Sequence, residues 1–449
     1  MTIMKILFGL VGLSIVVVVH EAGHFIAAKL SGIKVEAFSV GWGKVLYSRM
    51  WKDTEFRISL FPLGGYCKMQ GEQAMIQAWE SKAKTIDTDE GDMYAASWWK
   101  RIIVSLSGPF MNLIFAGIIF FVISFIGYNI HFYPSRIVLA SEYTQRSDYP
   151  ADQAELQSGD LITAINGKEI ERFDQLQRMI VVNPDEAITL TVKRDSKLMN
   201  IDVTPELNKE SGAGYMGIYP WIDAVIREFS DESLLRDYGA MAGDRILAVN
   251  SRPVSHALDV SASLKEGELV QTMTILRNNQ RITLDMSGGM ELGLGGIKFD
   301  YLTYRTPAFK LISSFKNGAL EAWESTRNSV KGLALLFKGI NLQSAVSGPL
   351  RITYMTGDLA FSGFKAGIGE GLLSFFRFIA LINIALFIMN LLPIPVLDGG
   401  QILLFLVEGL FKRKPNPAVL YRYQMLGTMI VFALIIFATM NDILFFSRN

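Results

Sequence analysis

The sequence predicts a polytopic α-helical membrane protein. It has four transmembrane helices, a membrane-associated β-hairpin region and a repeated α/β insert between the second and third spans. Three observations carry this prediction. Four apolar runs are each long enough to cross a bilayer, loops rich in Lys and Arg alternate with loops poor in them, and the long insert repeats itself. Composition agrees: half of the 449 residues are apolar, only 19% are charged and the formal net charge is zero, with a mean hydropathy of +0.28. A zero balance with no basic tract gives no footing for a nucleic-acid partner and leaves the lipid bilayer as the surroundings. The lone cysteine, Cys67, forms no intramolecular disulfide, so an insert in an oxidising compartment must be held together by burial.

The first span covers roughly 6–28. Its only basic flank is Lys5 and it has no A-x-A exit, so it reads as a retained span and not as a cleaved signal. "AFSVGWGKVLYS" and "TEFRISLFPLGGYCKM" follow, within 36–69. These are β-prone, rich in Gly and Pro and too irregular for a span, which suits strands or a re-entrant hairpin docked on the spans. The stretch 71–92 is polar and carries no motif. The second span covers about 102–128, the third 372–392 and the fourth 426–446. Lys29, Lys34, Lys44, Arg49, Lys52, Arg57, Lys68, Lys100 and Arg101 crowd the first loop, and "KRK" at 412–414 lies in the last. The positive-inside rule puts these loops in the cytoplasm, both termini outside, and the insert 129–371 outside as well.

Within the insert, "LQSGDLITAINGKEI" (156–170) aligns with "AMAGDRILAVNSRPV" (240–254), and "LTVKRD" (190–195) with "MTILRN" (273–278). Each copy reads as strand, Asn-containing turn, short helix, strand and hairpin. The pattern Gly-Asp-x-Ile-x-x-Ile/Val-Asn resembles PDZ domains. It implies two tandem PDZ-like α/β domains outside the cytoplasm, over 129–220 and 221–304, a class that takes extended peptides by strand addition. Residues 305–371 then read as an amphipathic helical connector. Ile312, Phe315, Ala319, Trp323, Val330 and Phe337 share its apolar stripe, which lies on the membrane surface or packs on the repeats, unless the region is simply a packed helix pair. An N-terminal membrane domain, 1–128, and a C-terminal one, 372–449, complete the division.

The chemistry sits in "VVVVHEAGHFIAAK", residues 16–29. His20, Glu21 and His24 form H-E-x-x-H. Four residues apart on a helix, the two imidazoles share one face and suit Zn²⁺, and Glu21 is placed to act as general base. A carboxylate at membrane depth costs about 3 kcal/mol on insertion scales, so an intramembrane Glu between two His marks a functional site. A catalytic zinc site needs a third protein ligand. Ala27 and Leu30 occupy the places of the Gly and third His in the extended metzincin pattern, and His131 and His256 fall in the outer insert. Asp398, in "NLLPIPVLDGGQ" (390–401), is the best candidate. The first and third spans run in the same direction, Pro393 and Pro395 stop the third, and Gly399 and Gly400 permit close backbone approach. Asp398 either returns into the bundle as the third ligand or caps the helix that follows. Beside an intramembrane H-E-x-x-H, the ligand reading is the stronger.

The two motifs together resemble the site-2 protease family of intramembrane metalloproteases, whose second motif, N-x-x-P-x-x-x-L-D-G, stands here as Asn390, Pro393, Leu397, Asp398 and Gly399. With "SGPFMN" (107–112), "SGPLRI" (347–352) and the tandem insert, the likeness extends over nearly the whole chain and is similar to the family's bacterial sigma-E-regulating branch. The resemblance implies a zinc metalloendopeptidase of the bacterial cytoplasmic (inner) membrane. Its active site lies toward the cytoplasm and its PDZ-like domains lie in the periplasm. His20, His24 and Asp398 would bind Zn²⁺ and Glu21 would activate water. Asn390, and Asn112 in a G-x-x-x-N pattern starting at Gly108, would belong to the substrate-binding residues. The implied partners are transmembrane protein substrates: an anti-sigma factor after first-site cleavage, and remnant signal peptides. Two other classes stand beside this one. An ion or proton transporter would use Glu21 and His20 as a relay and needs further ionisable groups in the spans, of which Arg377 and Asp442 are the examples. A catalytically inactive PDZ scaffold would have no use for an intact ligand set.

Overall fold

The computed structural model describes residues 2–209, 212–229, 234–263, 270–290, 297–335, 348–414 and 416–448. Phe337, and Ser347 at the start of "SGPLRI", lie outside them. The chain divides into two compact units, 1–128 with 306–449, and 129–305.

The N-terminal part begins with α1 (Thr2–Ser31), whose continuous apolar run has nothing to break it before Gly32, which takes a left-handed φ of 78°. Strands β1 (Val35–Trp51) and β2 (Thr54–Met69) form an antiparallel hairpin turning at Lys52 and Asp53. The start of β1 pairs on both sides: Phe38 faces Phe56 across one ladder and Cys67 across the other. The end of β2 therefore bends back to make Gly65–Met69 an edge of the sheet. Phe25 of α1 packs on Phe38 and Phe56 with ring centroids 5.6 Å apart, docking the hairpin to the first span. Trp42, Tyr47, Trp51 and Phe61 remain exposed along it. The polar stretch 71–92 contains a helix that hydropathy gave no sign of, α2 (Glu72–Glu80), and α3 (Trp98–Ile126) follows.

In the unit 129–305, β3 (Asn129–Phe132) and β4 (Ile137–Leu139) precede a short helix α4 (Pro150–Gln153). Then come β5 (Leu161–Ile165), β6 (Lys168–Glu169), α5 (Phe173–Val181), β7 (Ile188–Arg194) and β8 (Lys197–Val203), forming an antiparallel sheet of order β6-β5-β7-β8. After β9 (Glu206–Leu207), β10 (Gly214–Tyr215), β11 (Ile218–Pro220) and β12 (Ile226–Phe229), the pattern recurs. Elements β13 (Arg245–Val249), β14 (Arg252–Pro253), α6 (Ala257–Ser263), β15 (Val270–Arg277) and β16 (Gln280–Met290) give the order β14-β13-β15-β16. Strands β17 (Ile297–Phe299) and β18 (Leu302–Arg305) close the unit, and β18 pairs with β3 so that entry and exit lie side by side.

The repeated residues have matching structural jobs. Asn166 and Asn250 take left-handed φ values of 49° and 44° in tight hairpin turns. Their Oδ1 atoms accept from the Thr189 and Gln271 amides, each at 2.8 Å. Asp160 and Asp244 are each 1% exposed. Each takes two guanidinium hydrogen bonds, from Arg194 and Arg277, and one backbone amide, from Gln157 and Met241. Each repeat closes over its own apolar core, one around Ile162 and Leu190, the other around Ile246 and Ile275.

The C-terminal part returns with α7 (Leu311–Leu335), α8 (Pro349–Ala366), α9 (Ile368–Asn390), α10 (Asp398–Phe411) and α11 (Pro417–Arg448). Helices α1, α3, α9 and α11 are long and apolar enough to cross a membrane. The fourth begins earlier than hydropathy suggests, because Asn416 Oδ1 caps the Ala418 amide and Pro417 opens the helix. Among the described residues, the region read as a connector contains α7 and α8, both in this unit. On α7 the buried face is Ser314, Gly318 and Ala322, at helical spacing against α3. Small residues let two backbones approach, so Ile312, Phe315, Ala319, Trp323 and Val330 are turned outward. Helix α8 packs on α1, where Lys5 pairs with Asp358 at 2.5 Å.

The buried aspartates of the repeats give a stability test. Burial alone would raise the Asp244 carboxyl, but the Arg277 hydrogen bonds and the Met241 amide outweigh it and hold it below the ordinary 3.8. Its stabilisation is therefore fully present above that pH and is lost as the pH falls through the lowered value. Asp244→Ala is expected to cost the 129–305 unit about 3 kcal/mol at neutral pH. Pulse proteolysis of the full chain checks this, and the difference from wild type should vanish in acid.

Candidate metal centre

The site is built where α1 and α3 cross. Gly23 lies against the Ser107 carbonyl with no room for a Cβ, so the two helices meet at backbone distance. His20 and His24, one turn apart, then point at α3 and are 9% and 8% exposed. Across from them stands Gly108. A Cβ there would strike both imidazoles, so this position must be glycine for the rings to fit. Pro109, inside α3, has no N–H to donate to the Ser105 carbonyl. One residue earlier, the Val104 carbonyl accepts a 2.8 Å bond from His24 Nδ1.

Asp398 arrives from the other end of the chain. Helix α9 stops at Asn390, the chain turns through Pro393 and Pro395 with Val396 at a φ of 82°, and α10 starts at Asp398. Gly399 and Gly400 fit against the carbonyls of Leu391, Leu392 and Ile394, folding the turn tightly under the new helix. The cap position of α10 is Leu397, with no side-chain capping bond. The Asp398 carboxylate is instead turned to the histidines: Oδ2 is 3.3 Å from His20 Nε2 and Oδ1 is 3.4 Å from His24 Nε2. Two anchors hold this turn. On α11, Tyr423 Oη donates to the Gly400 carbonyl at 2.9 Å. On α3, buried Arg101 forms an ion pair with buried Glu408 of α10 and stacks 4.6 Å from the Phe405 ring.

The donor set suits a metal ion. The two Nε2 atoms are 3.1 Å apart, and one ligand atom from each of His20, His24 and Asp398 lies within 4.8 Å of the others. His24 donates through Nδ1, so its neutral form presents a lone pair at Nε2. His20 Nδ1 lies 3.3 Å from the Asn112 amide, which is fully buried and whose Oδ1 has no partner among the described residues. A half-turn of that amide lets Oδ1 accept Nδ1–H, which leaves the His20 Nε2 as a second lone pair. Two nitrogen lone pairs and a carboxylate would then face each other at hydrogen-bond distance with no proton between them. A bound cation resolves that contact, and two imidazoles with one carboxylate is a zinc-type set.

Of the other residues singled out, Glu21 follows His20 on α1 and is half-buried. Asn112 lies behind His20 and not on an open face. Asn390 is the half-buried last residue of α9. His131 bonds Thr303, and His256 is buried beside Tyr143 and Trp221 in the other unit. The two charges that a transporter relay would need have structural partners. Arg377 pairs with Glu321, and Asp442 accepts the Gly348 and Arg351 amides at 2.8 and 3.0 Å, capping α8. Gly23 and Arg101 drew no attention as site residues in the sequence, because a close approach and a buried pair depend on which helices become neighbours.

The sequence profile of peptidase family M50 matches residues 8–436. A protein of Treponema pallidum (strain Nichols) named "Putative zinc metalloprotease" is 36% identical over 448 residues, 98% of this chain and 99% of its own length. The "Regulator of sigma E protease" of Haemophilus influenzae is 30% identical over 463 residues, 97% of each chain. The "Regulator of sigma-E protease RseP" of Escherichia coli (strain K12) is 28% identical over 468 residues, 98% of this chain and 97% of its own length.

Two substitutions outside the three donors test the geometry. Asn112→Leu is expected to weaken zinc binding about 10–100-fold in a chelator competition titration. Gly108→Val is expected to leave less than one zinc per chain by metal analysis, while circular dichroism still reports the helices. Wild-type zinc affinity in both variants would contradict this arrangement.

Proposed function

The chain belongs to peptidase family M50 and is a zinc metalloendopeptidase, and on that footing we propose that it cleaves the transmembrane segments of single-span membrane proteins inside the bilayer. One observation carries the reading: His20, His24 and Asp398 converge within a unit whose α1, α3, α9 and α11 are long and apolar enough to cross a membrane.

We assign the zinc to His20, His24 and Asp398, with Asn112 orienting His20 and the Val104 carbonyl orienting His24. Zinc held there supplies Lewis-acid polarisation of a peptide carbonyl and acidifies water. Glu21 takes the proton of the attacking water at its carboxylate and passes it to the leaving amide nitrogen, so the C–N bond breaks without releasing a charged amide. A transmembrane helix hides its carbonyls in its own hydrogen bonds, so the substrate must be unwound before attack. The edge segment Gly65–Met69 is the template we assign to the unwound strand, with Asn390 holding it near the site.

By the positive-inside rule, the Lys/Arg-rich loops support a centre toward the cytoplasm and an insert outside it. In that setting the insert, as two PDZ-like repeats, acts as a filter for substrates already trimmed by another protease. A cut anti-sigma factor and remnant signal peptides are of that kind. The exposed aromatic hairpin of β1 and β2 lies against lipid.

Purified chain and a single-span substrate test the reading. Glu21→Gln is expected to keep its zinc and lose about 10²–10⁴-fold in cleavage rate. Asp398→Ala is expected to lose both zinc and cleavage. Equal cleavage by wild type and Glu21→Gln would sink the assignment of the base, and an undiminished zinc content in Asp398→Ala would move the third ligand elsewhere.

A further inference from the structure

A cavity of about 330 Å³ opens directly off the metal centre, with His24 and Asp398 in its wall. Five stretches of the chain line much of the rest. Cys67 and Met69 come from the edge of β2, Met75 from α2, Met93 from the stretch before α3, and Gln401 and Gln424 from α10 and α11. We propose that this cavity is a substrate side-chain subsite, which takes a long side chain unbranched at Cβ, such as Leu or Met, from a residue flanking the scissile bond. The proposal rests on the protease reading above and adds a specificity pocket to it.

Three features lead to that occupant. The first is adjacency: a peptide whose carbonyl reaches His24 and Asp398 has its neighbouring side chains at the mouth of this cavity. The second is the period of the strand. Cys67 and Met69 are two residues apart on β2 and so point to the same face, and both are buried. A strand laid along that edge directs its alternate side chains to the same side, into the cavity. The third is the lining. Three methionines, beside Ile76 and Val104, make part of the wall deformable, and a deformable wall accommodates a flexible side chain of varied length better than a rigid branched one. Gln401 and Gln424 add amide groups beside Tyr94 and Ser105.

The wall is held in place from behind, and this gives α2 a role. Trp79 of α2 stacks on Tyr421 of α11 with centroids 3.6 Å apart and planes 11° from parallel. Tyr94 Oη lies 3.3 Å from Met75 Sδ, and Lys414 Nζ donates to the Tyr94 carbonyl at 3.0 Å. Met75 is 5% exposed, so its side chain is committed to the interior. The polar stretch 71–92, featureless as sequence, thereby supplies one side of a pocket at the catalytic centre.

The test uses the full-length, zinc-loaded chain and a panel of single-span substrates. The residues on either side of the cleaved bond are changed in turn to Gly, Val, Leu, Met, Phe and Trp. Wild type is expected to favour Leu and Met over Gly, Val and Trp by about tenfold or more in kcat/KM at one of the two positions. Met75→Phe should shift the optimum toward smaller side chains, and Met93→Ala, in a different segment, toward Phe and Trp, with zinc content unchanged in both. The same order should appear as Kd values in a Glu21→Gln background, where turnover does not contribute. Cleavage that is intact but identical in rank order across wild type and both variants overturns the subsite and leaves the protease reading standing. A wild-type chain that holds zinc and cleaves no member of the panel overturns both.

Discussion

Everything near the centre of this protein depends on one unfavourable contact: two imidazole nitrogens and a carboxylate brought to within 3.4 Å of one another in an apolar bundle. Left alone, such a contact in a low dielectric would push its members apart or force them to take up protons. The surrounding residues prevent the first escape. The Val104 carbonyl and the Asn112 amide hold the rear nitrogens of both rings, and the Gly399 and Gly400 backbone holds Asp398 forward. A cation is then the partner that makes the arrangement favourable, which explains why a membrane unit tolerates this much polarity in one place.

The framework that maintains the contact is assembled from residues that look unrelated along the chain. Gly23 and Gly108 matter because side chains there would occupy the space of the site. Arg101 and Glu408, both buried, tie the helix that begins at Asp398 to the second span. Such a pair is costly to bury and more costly to break. It therefore serves better to fix which helices are neighbours than to add net stability. Helix α11 does similar work through Tyr423 and through Gly427 against the Pro395 carbonyl.

The insert solves a different problem with simpler means. Each repeat pins its turn with an Asn in left-handed conformation and its first strand with a buried Asp–Arg pair. Strand order and hydrogen bonds recur together, because the same short motif meets the same local requirements in both copies. Strands β3 and β18 bring the two ends of the insert alongside each other, so a long excursion returns to the membrane unit where it left.

What the sequence by itself determined follows from local physics. Apolar runs longer than a bilayer made four helices of spanning length, Gly-Asp and Asn turns made the repeats, and His20, Glu21 and His24 at helical spacing pointed to a metal-type site. Asp398 stood out in the sequence only beside the H-E-x-x-H motif, since alone an Asp after a Pro-broken span end serves equally well as a helix cap. What only the tertiary structure decided is where distance along the chain carries no information. The outward turn of the α7 stripe came from small residues winning the helix contact. The burial of Asn112 behind His20, the pairing of Arg377 with Glu321 and the capping of α8 by Asp442 each join segments that periodicity treats separately. Polar stretch 71–92 is the clearest case. Its helix is too short and too polar to register as a pattern, and its place beside the centre depends on a tryptophan finding a tyrosine more than three hundred residues away.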